Sequence, residues 1–256
     1  MPVYQEEQGL KKCLDSILSQ TFQDFEIILI NDGSTDKSGD ICEEYVAAHK
    51  NIKVFHQENK GPSAARNKGI DEANGQYITF IDADDFVEPK YLESFFLLEK
   101  EPKETVVMQG IILHRPKNEK KIRKLPLGIY DSNEFSNLFY SLRLISTWPY
   151  AVCKLYNRKI IEEKSIKFVE DLKYGEDLLF FLDYFQFIEK MILIDQCNYH
   201  YLYTPKSLSW TLHGYESEIK LLNKVSKRIN VLDKKIGFSA EIESIHQAHF
   251  SKYFYR

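Results

Sequence analysis

Tyr77-Ile78-Thr79-Phe80-Ile81-Asp82-Ala83-Asp84-Asp85 is an apolar run of strand length that stops abruptly in three carboxylates within four positions. Ile78, Phe80 and Ile81 suit a strand buried on both faces, as in a parallel sheet, and ligands of open α/β sheets bind beyond the carboxyl ends of such strands. Asp82 to Asp85 fall at that end. Three clustered carboxylates repel one another unless a cation or a Lys/Arg side chain neutralises them. A solvated acidic turn is one reading. The other is a divalent metal holding a phosphorylated ligand, because hard cations take one or two carboxylates and fill their remaining positions with water and phosphate oxygens.

Outward from this stretch, the first hundred residues alternate between two periodicities. Leu10, Cys13, Leu14, Ile17 and Leu18 form a helical stripe, and Phe25 to Ile30 is a continuous apolar strand. Asn31-Asp32-Gly33-Ser34-Thr35-Asp36 then turns the chain into a helix carrying Ile41, Cys42, Tyr45 and Val46. A strand at Ile52 to Phe55 follows, then a loop from Asn59 to Ser63 that opens a helix through Ala64, Ala65 and Ile70. This alternation predicts βαβ units and a mostly parallel sheet for residues 1 to 100.

The regularity then stops. Val106 to Leu113 reads as a strand, and the basic segment His114 to Lys124 as a solvated loop or hairpin tip, with an anionic-lipid or phosphate contact as the alternative. Asp131 to Leu142 reads as a helix, Trp148 to Tyr156 as mixed, Glu176 to Ile188 as an apolar helix and Met191 to Tyr203 as a strand. Charged amphipathic helices follow from His213, ending in the aromatic tail Phe250 to Arg256. That tail and the high aromatic content of the second half suggest packing on the body, on a second copy or on a membrane surface.

With 256 residues the chain can bury a sizeable core. Its net charge of −4 argues against a nucleic-acid partner. Cys13, Cys42, Cys153 and Cys197 show no C-x-x-C spacing and read as buried thiols of a reducing compartment. The longest apolar stretch, 178–194, is interrupted by Asp183, Gln186, Glu189 and Lys190, so it does not read as a membrane span.

Pro2-Val3-Tyr4, the Asn31 to Asp36 turn, Asn59 with Ala65-Arg66-Asn67-Lys68-Gly69, Asp82-Ala83-Asp84-Asp85 and Gly175-Glu176-Asp177 occur in the order found in family 2 inverting glycosyltransferases of the GT-A fold. The resemblance is close over residues 1 to 100 and thinner beyond. It implies an α/β GT-A architecture, Rossmann-like and nucleotide-binding, with a mostly parallel central sheet flanked by helices and a C-terminal helical extension. The expected organisation is a domain over 1–212, divided into a nucleotide-binding half (1–100) and an acceptor-binding half (101–212), with a helical region over 213–256.

The resemblance also implies roles. Asp32 would accept a hydrogen bond from a uracil N–H, with Pro2 and Tyr4 lining the base pocket and Asn59 and Arg66 contacting the nucleotide. Arg66 would neutralise phosphate or hold the Asp82 side in place. Asp82 and Asp84 would form a D-x-D motif, Asp84 binding Mn²⁺ or Mg²⁺ directly with Asp82 beside it. Asp177 would be the general base toward an acceptor hydroxyl, oriented by Glu176. The partners implied are a UDP-sugar donor and a glycan or lipid-linked saccharide acceptor, for an enzyme at work in the cytoplasm with a peripheral membrane contact.

Other readings compete with these. Glu176-Asp177 also suits an ordinary acidic helix start. His200 reads as a packed or hydrogen-bonded histidine, with metal ligation as its alternative. Tyr201, Tyr203 and Ser207 resemble a loop that closes over the diphosphate, although Leu202 stands where many relatives carry Arg. Gln5 departs mildly from the usual Asn. Only Met1 precedes Pro2, where the family has an apolar strand, and the expectation is that such residues lie upstream. A nucleotidyltransferase would show a basic, Gly-rich phosphate loop where Gln5 to Gly9 carries no base. An aspartyl-phosphate phosphatase fails at Phe86. A catalytically silent nucleotide-sugar or glycan-binding module on the same fold remains the rival from a different class.

Overall fold

The computed structural model describes residues 1–100, 102–142, 150–172, 174–203 and 215–236. In chain order, β1 (Pro2–Val3), α1 (Leu10–Leu18), β2 (Ile27–Asp32), α2 (Ser38–Ala48), β3 (Ile52–Gln57) and α3 (Pro62–Glu72) alternate as the spacing predicts. The stripe on α1 buries Leu10, Cys13, Leu14 and Ile17. β2 is buried along its length because β1 and β3 flank it, both parallel, and α2 and α3 lie against it. The register sets Asp32 opposite Gln57, so both strands end at one edge.

The decisive stretch departs from the expected parallel strand. Here β4 (Tyr77–Ile78) pairs antiparallel with Tyr156 and Asn157, and Phe80 adds a single parallel bridge to Val152. Beyond Ile78 side chains hold the chain: Thr79 Oγ1 is 3.0 Å from the Tyr91 hydroxyl, and the Asp82 N–H donates to the Tyr199 hydroxyl at 3.2 Å. Phe80 and Ile81 are buried as their apolar character requires.

The remaining elements are β5 (Phe86–Val87), α4 (Tyr91–Ser94), β6 (Thr105–His114), β7 (Lys120–Arg123), β8 (Gly128–Asp131), α5 (Phe135–Leu142), β9 (Lys154–Asn157), α6 (Arg158–Glu163), α7 (Glu176–Phe185), β10 (Lys190–Leu202) and α8 (Tyr215–Ile236). Among the described residues a second sheet runs β4-β9-β6-β10-β5, with β7 on β6 and β8 on β10. Its one parallel pair is β6 with β10; its other pairs are antiparallel. The basic segment is a hairpin arm, β7 folding back on β6 with Lys120 and Lys121 exposed. The expected helix from Asp131 begins instead as a 3₁₀ turn at Ser132–Glu134, closed by a capping box, before α5.

Most of the described aromatics pack on one another rather than facing outward. Phe168 stacks on Phe180 with centroids 4.1 Å apart, and Phe80 meets Tyr156, Phe168 and Phe180 edge-on. Phe80 lies two residues before Asp82 and Phe180 three after Asp177, so this packing carries the two acidic segments to the same place. α8 buries Leu221, Val225, Ile229 and Leu232, and Arg228 binds both oxygens of Asp183 on α7. No helix among the described residues is long and apolar enough to cross a membrane. Trp148, Ser207, His213 and the 250–256 tail lie outside the described residues.

Gly175 precedes α7 at φ +79°, and a Cβ there would come within 2.5 Å of Leu221 on α8. Both the left-handed backbone and the close helix require glycine. Gly175→Ala is therefore expected to destabilise the protein by about 1 to 3 kcal/mol, read as a lower urea midpoint. Leu221→Ala in the Gly175→Ala background should remove the steric part, leaving the double variant less impaired than the two single losses added.

Candidate active site

Arg66 points from α3 into the interior, where it is 7% exposed. Its Nη2 donates to Asp82 Oδ1 at 2.9 Å, while Nη1 donates to Glu176 Oε1 at 3.2 Å and to Asp177 Oδ1 at 3.1 Å. Burial opposes its charge, but the fields of Asp177, Asp82 and Glu176 outweigh burial and push its pKa up. The sequence offered two roles for Arg66, and this is the second, extended to the acids of α7. The aromatic core supports the geometry: the guanidinium carbon lies 5.4 Å from the centre of the Phe168 ring. Next to it, Asn67 Nδ2 donates to the Phe168 carbonyl at 2.9 Å, and the Phe168 N–H donates to Asn67 Oδ1 at 2.7 Å. α3 is thereby tied to the segment leading to α7.

Asp177 keeps one oxygen on Arg66 and receives the Ala151 N–H on Oδ2 at 3.1 Å. Burial pushes its carboxyl up to about 7, Glu176 and Asp82 adding to the effect and Arg66 opposing it. A carboxylate oxygen has two lone-pair sites, so these bonds leave capacity for a further donor. Such a carboxylate, protonated in part near neutrality and held at two points, is equipped to accept a proton.

The two D-x-D acids differ in what balances them. Asp82 has Arg66. Asp84 is half-buried, and its carboxyl is pushed up to about 7 by burial, then by Asp82 and by Glu6. Its charge is thus under-compensated in the site, which suits a hard divalent cation. No ready-made cage of three His, Cys, Asp or Glu side chains exists among the described residues, so such a cation would depend on Asp84, with Asp82 beside it, and on oxygens of water and ligand.

Asp32 is buried and its carboxylate accepts from Gln57 Nε2 at 2.7 Å, the Lys60 N–H at 2.9 Å and the Gly61 N–H at 2.8 Å. It thus shapes the loop that carries Asn59, which is exposed, and starts α3. Tyr4 is 52% exposed and Pro2 half-buried, at the same strand edge. Asp82, Glu176 and Asp177 gather separately from these four, on the Arg66 guanidinium.

Sequence reasoning missed Asp85 as a structural anchor. It is 2% exposed, accepts the Tyr199 hydroxyl at 2.6 Å and the Leu202 N–H at 2.8 Å, and burial pushes its carboxyl well up. It pins the end of β10 to the acid loop, and Leu202 takes part through its backbone. The signal was available as a third acid after an apolar run; its burial was not. His200 is packed and hydrogen-bonded: it stacks on Phe86 at 4.2 Å and lies 2.8 Å from His114 and 2.7 Å from Glu88, ring nitrogen to partner.

A parallel nucleotide-type half joined to a mixed sheet, with acids gathered where they meet, defines a GT-A fold. Solved structures agree. Staphylococcus aureus TarS 1–349 with UDP-GlcNAc superposes with a TM-score of 0.70 at 21% identity, covering 91% of this chain and 69% of that one. The mannosyltransferase PcManGT of Pyrobaculum calidifontis, with GDP-Man and Mn²⁺, gives 0.64 at 15% identity, covering 94% and 67%. The chain belongs to glycosyl transferase family 2, whose model matches residues 1–164. Glycosyltransferase GlyA of Streptococcus pneumoniae is 34% identical across 94% of this chain, and the uncharacterized glycosyltransferase EpsJ of Bacillus subtilis 34% across 82%. The chain corresponds to 35% and 61% of the length of those two relatives.

The Asp84 environment has a measurable consequence. A carboxyl raised from its ordinary 3.8 to about 7 lends stability that is full below about pH 4 and lost as pH rises to 7, because the folded state holds the proton more tightly than the unfolded one. Asp84→Asn cannot lose it. In EDTA, the variant's Tm should lie nearest to wild type at about pH 4 and exceed it by a margin that grows to roughly 5 °C or more at pH 8. His114 and His200, whose pKa values are lowered, affect both proteins alike. A gap that does not widen with pH contradicts the assignment.

Proposed function

We propose that this chain is a metal-dependent inverting glycosyltransferase that moves a hexosyl or N-acetylhexosaminyl group from a UDP-sugar to a hydroxyl of a glycan or lipid-linked saccharide. The observation that carries this reading is the Arg66 clamp, which holds Asp82 of the D-x-D segment and Asp177 of α7 on one guanidinium. Donor acid and candidate base therefore belong to one site. TarS, which shares the fold, is a structure with UDP-GlcNAc.

In this reading Asp32, Pro2, Tyr4 and Asn59 receive the nucleoside at the strand edge. Asp84, with Asp82 beside it, would hold Mn²⁺ or Mg²⁺, which when bound would supply positive charge for a leaving diphosphate. Arg66 holds Asp82 in place through its Nη2. Asp177 accepts the acceptor proton as the hydroxyl oxygen bonds to the anomeric carbon. The bond from that carbon to the diphosphate breaks on the opposite face, its electron pair leaving with the phosphate oxygen. Glu176 shares Arg66 and fixes Asp177's rotamer.

A thermal-shift panel of UDP- and GDP-sugars with and without Mn²⁺ identifies the donor, and release of nucleotide to water reports turnover. Asp84→Asn should lose the Mn²⁺-dependent part of UDP binding. Asp177→Asn should keep UDP binding and lose turnover by at least about a hundredfold. A wild type that binds UDP-sugars but never releases nucleotide, with any saccharide offered, contradicts the reading and favours a silent binding module. Full turnover by Asp177→Asn would remove the base assignment.

A further inference from the structure

The peptide group joining Tyr150 to Ala151 is held at both ends by opposite charges. Its N–H donates to Asp177 Oδ2 at 3.1 Å, and its carbonyl accepts from Lys154 Nζ. Lys154 is 1% exposed on β9, and its ammonium lies 5.0 Å from the centre of the Phe181 ring on α7. Burial pushes its pKa down to about 8, with the charges of Cys153 and Asp177 opposing that shift.

A buried ammonium is costly, and Lys154 is among the largest fully buried side chains. The backbone that folds the lysine back on Tyr150 is itself strained. Cys153 adopts φ +62°, the left-handed region that a residue with a Cβ seldom occupies and that gathers at functional sites. The bend is fastened on both sides, by the Gln109 N–H donating to the Cys153 carbonyl at 3.1 Å and by the bridge between Val152 and Phe80. Strain, a buried cation and a peptide aimed at Asp177 coincide within five residues.

We propose that Lys154 is a positioning residue for Asp177, acting through the Tyr150–Ala151 peptide. The cation on the carbonyl polarises the peptide, strengthens the hydrogen bond its N–H gives to Oδ2, and fixes the carboxylate plane relative to an incoming hydroxyl. Lys154 itself touches neither donor nor acceptor. The inference rests on Asp177 being the base.

The test measures UDP release from UDP-GlcNAc, or from the donor the panel selects, in Mn²⁺, together with UDP affinity. Lys154→Met should lower kcat by about ten- to a hundredfold, the scale of a misplaced reacting group. Donor KM and UDP Kd should stay within about twofold of wild type, since no donor contact is lost. Lys154→Arg, which keeps cation and donor, should retain roughly a third or more of wild-type kcat. Adding Lys154→Met to Asp177→Asn should change the rate by less than about twofold, because a residue acting only through Asp177 has nothing left to act on.

A merely structural lysine would instead weaken UDP binding and keep its effect in the Asp177→Asn background. Should Lys154→Met fail to fold, judged by loss of a cooperative thermal transition, Lys154→Gln takes its place with the same expectations. Wild-type kcat in the Lys154 variant, while Asp177→Asn is impaired, overturns this inference alone. An unimpaired Asp177→Asn, or a wild type that turns over no donor, overturns the base assignment and this inference with it.

Discussion

One guanidinium, buried on α3, meets carboxylates from two segments far apart in the chain: Asp82 after β4, and Glu176 and Asp177 at the start of α7. No strand ladder joins those segments directly. They meet because Phe80 and Phe180 pack edge to face beneath them, and because Asn67 ties α3 to Phe168. Without a cation at the meeting point, that packing would drive three carboxylates together in a medium where their repulsion is poorly screened. The aromatic core supplies proximity, and Arg66 makes the proximity tolerable.

It does so incompletely. The Arg66 guanidinium faces Asp82, Glu176 and Asp177 together, and Asp84 and Asp85 stand close by. The carboxyls of Asp84, Asp85 and Asp177 are all pushed up from their ordinary range, first by burial and then by neighbouring carboxylates, Asp82 among them in each case. Asp85 resolves its share inside the protein, through Tyr199 and Leu202. Asp84 does not. An acid whose carboxyl is pushed up by burial in the folded state carries a standing cost in stability once it is ionised.

Much of this was legible in the sequence, and the exceptions have physical causes. The βαβ half could be read because its helices and strands bury regular stripes, as in α1 and β2. The acids stood out through the order of the motifs that carry them, since each cluster alone also suits a solvated turn or an ordinary helix start. The stretch 77–81 misled in its pairing: an apolar run of that length suits a parallel strand, yet after Ile78 it is Thr79, Tyr91 and Tyr199 that hold it. Those partners lie far along the chain and no periodicity announces them. The aromatic second half suggested packing on the body, on a second copy or on a membrane surface; its described rings mostly fill the core between β4, α7 and the 166–170 segment. The Ala151 N–H that reaches Asp177 left no trace, since a backbone donor has no side chain to mark it.

The central claim is that Arg66 joins the two halves of the site by holding acids from both. The direct measurement is the thermal stability of Arg66→Met at pH 7.5 in EDTA, alone and combined with Asp177→Asn. Breaking a buried ion pair by removing one partner costs about 3 to 5 kcal/mol, which for a chain of this size lowers Tm by roughly 10 °C. Neutralising Asp177 in the same protein should recover part of that loss, because one of the stranded charges is gone. An Arg66→Met protein that melts within a degree or two of wild type, or one that Asp177→Asn destabilises further, would contradict the account.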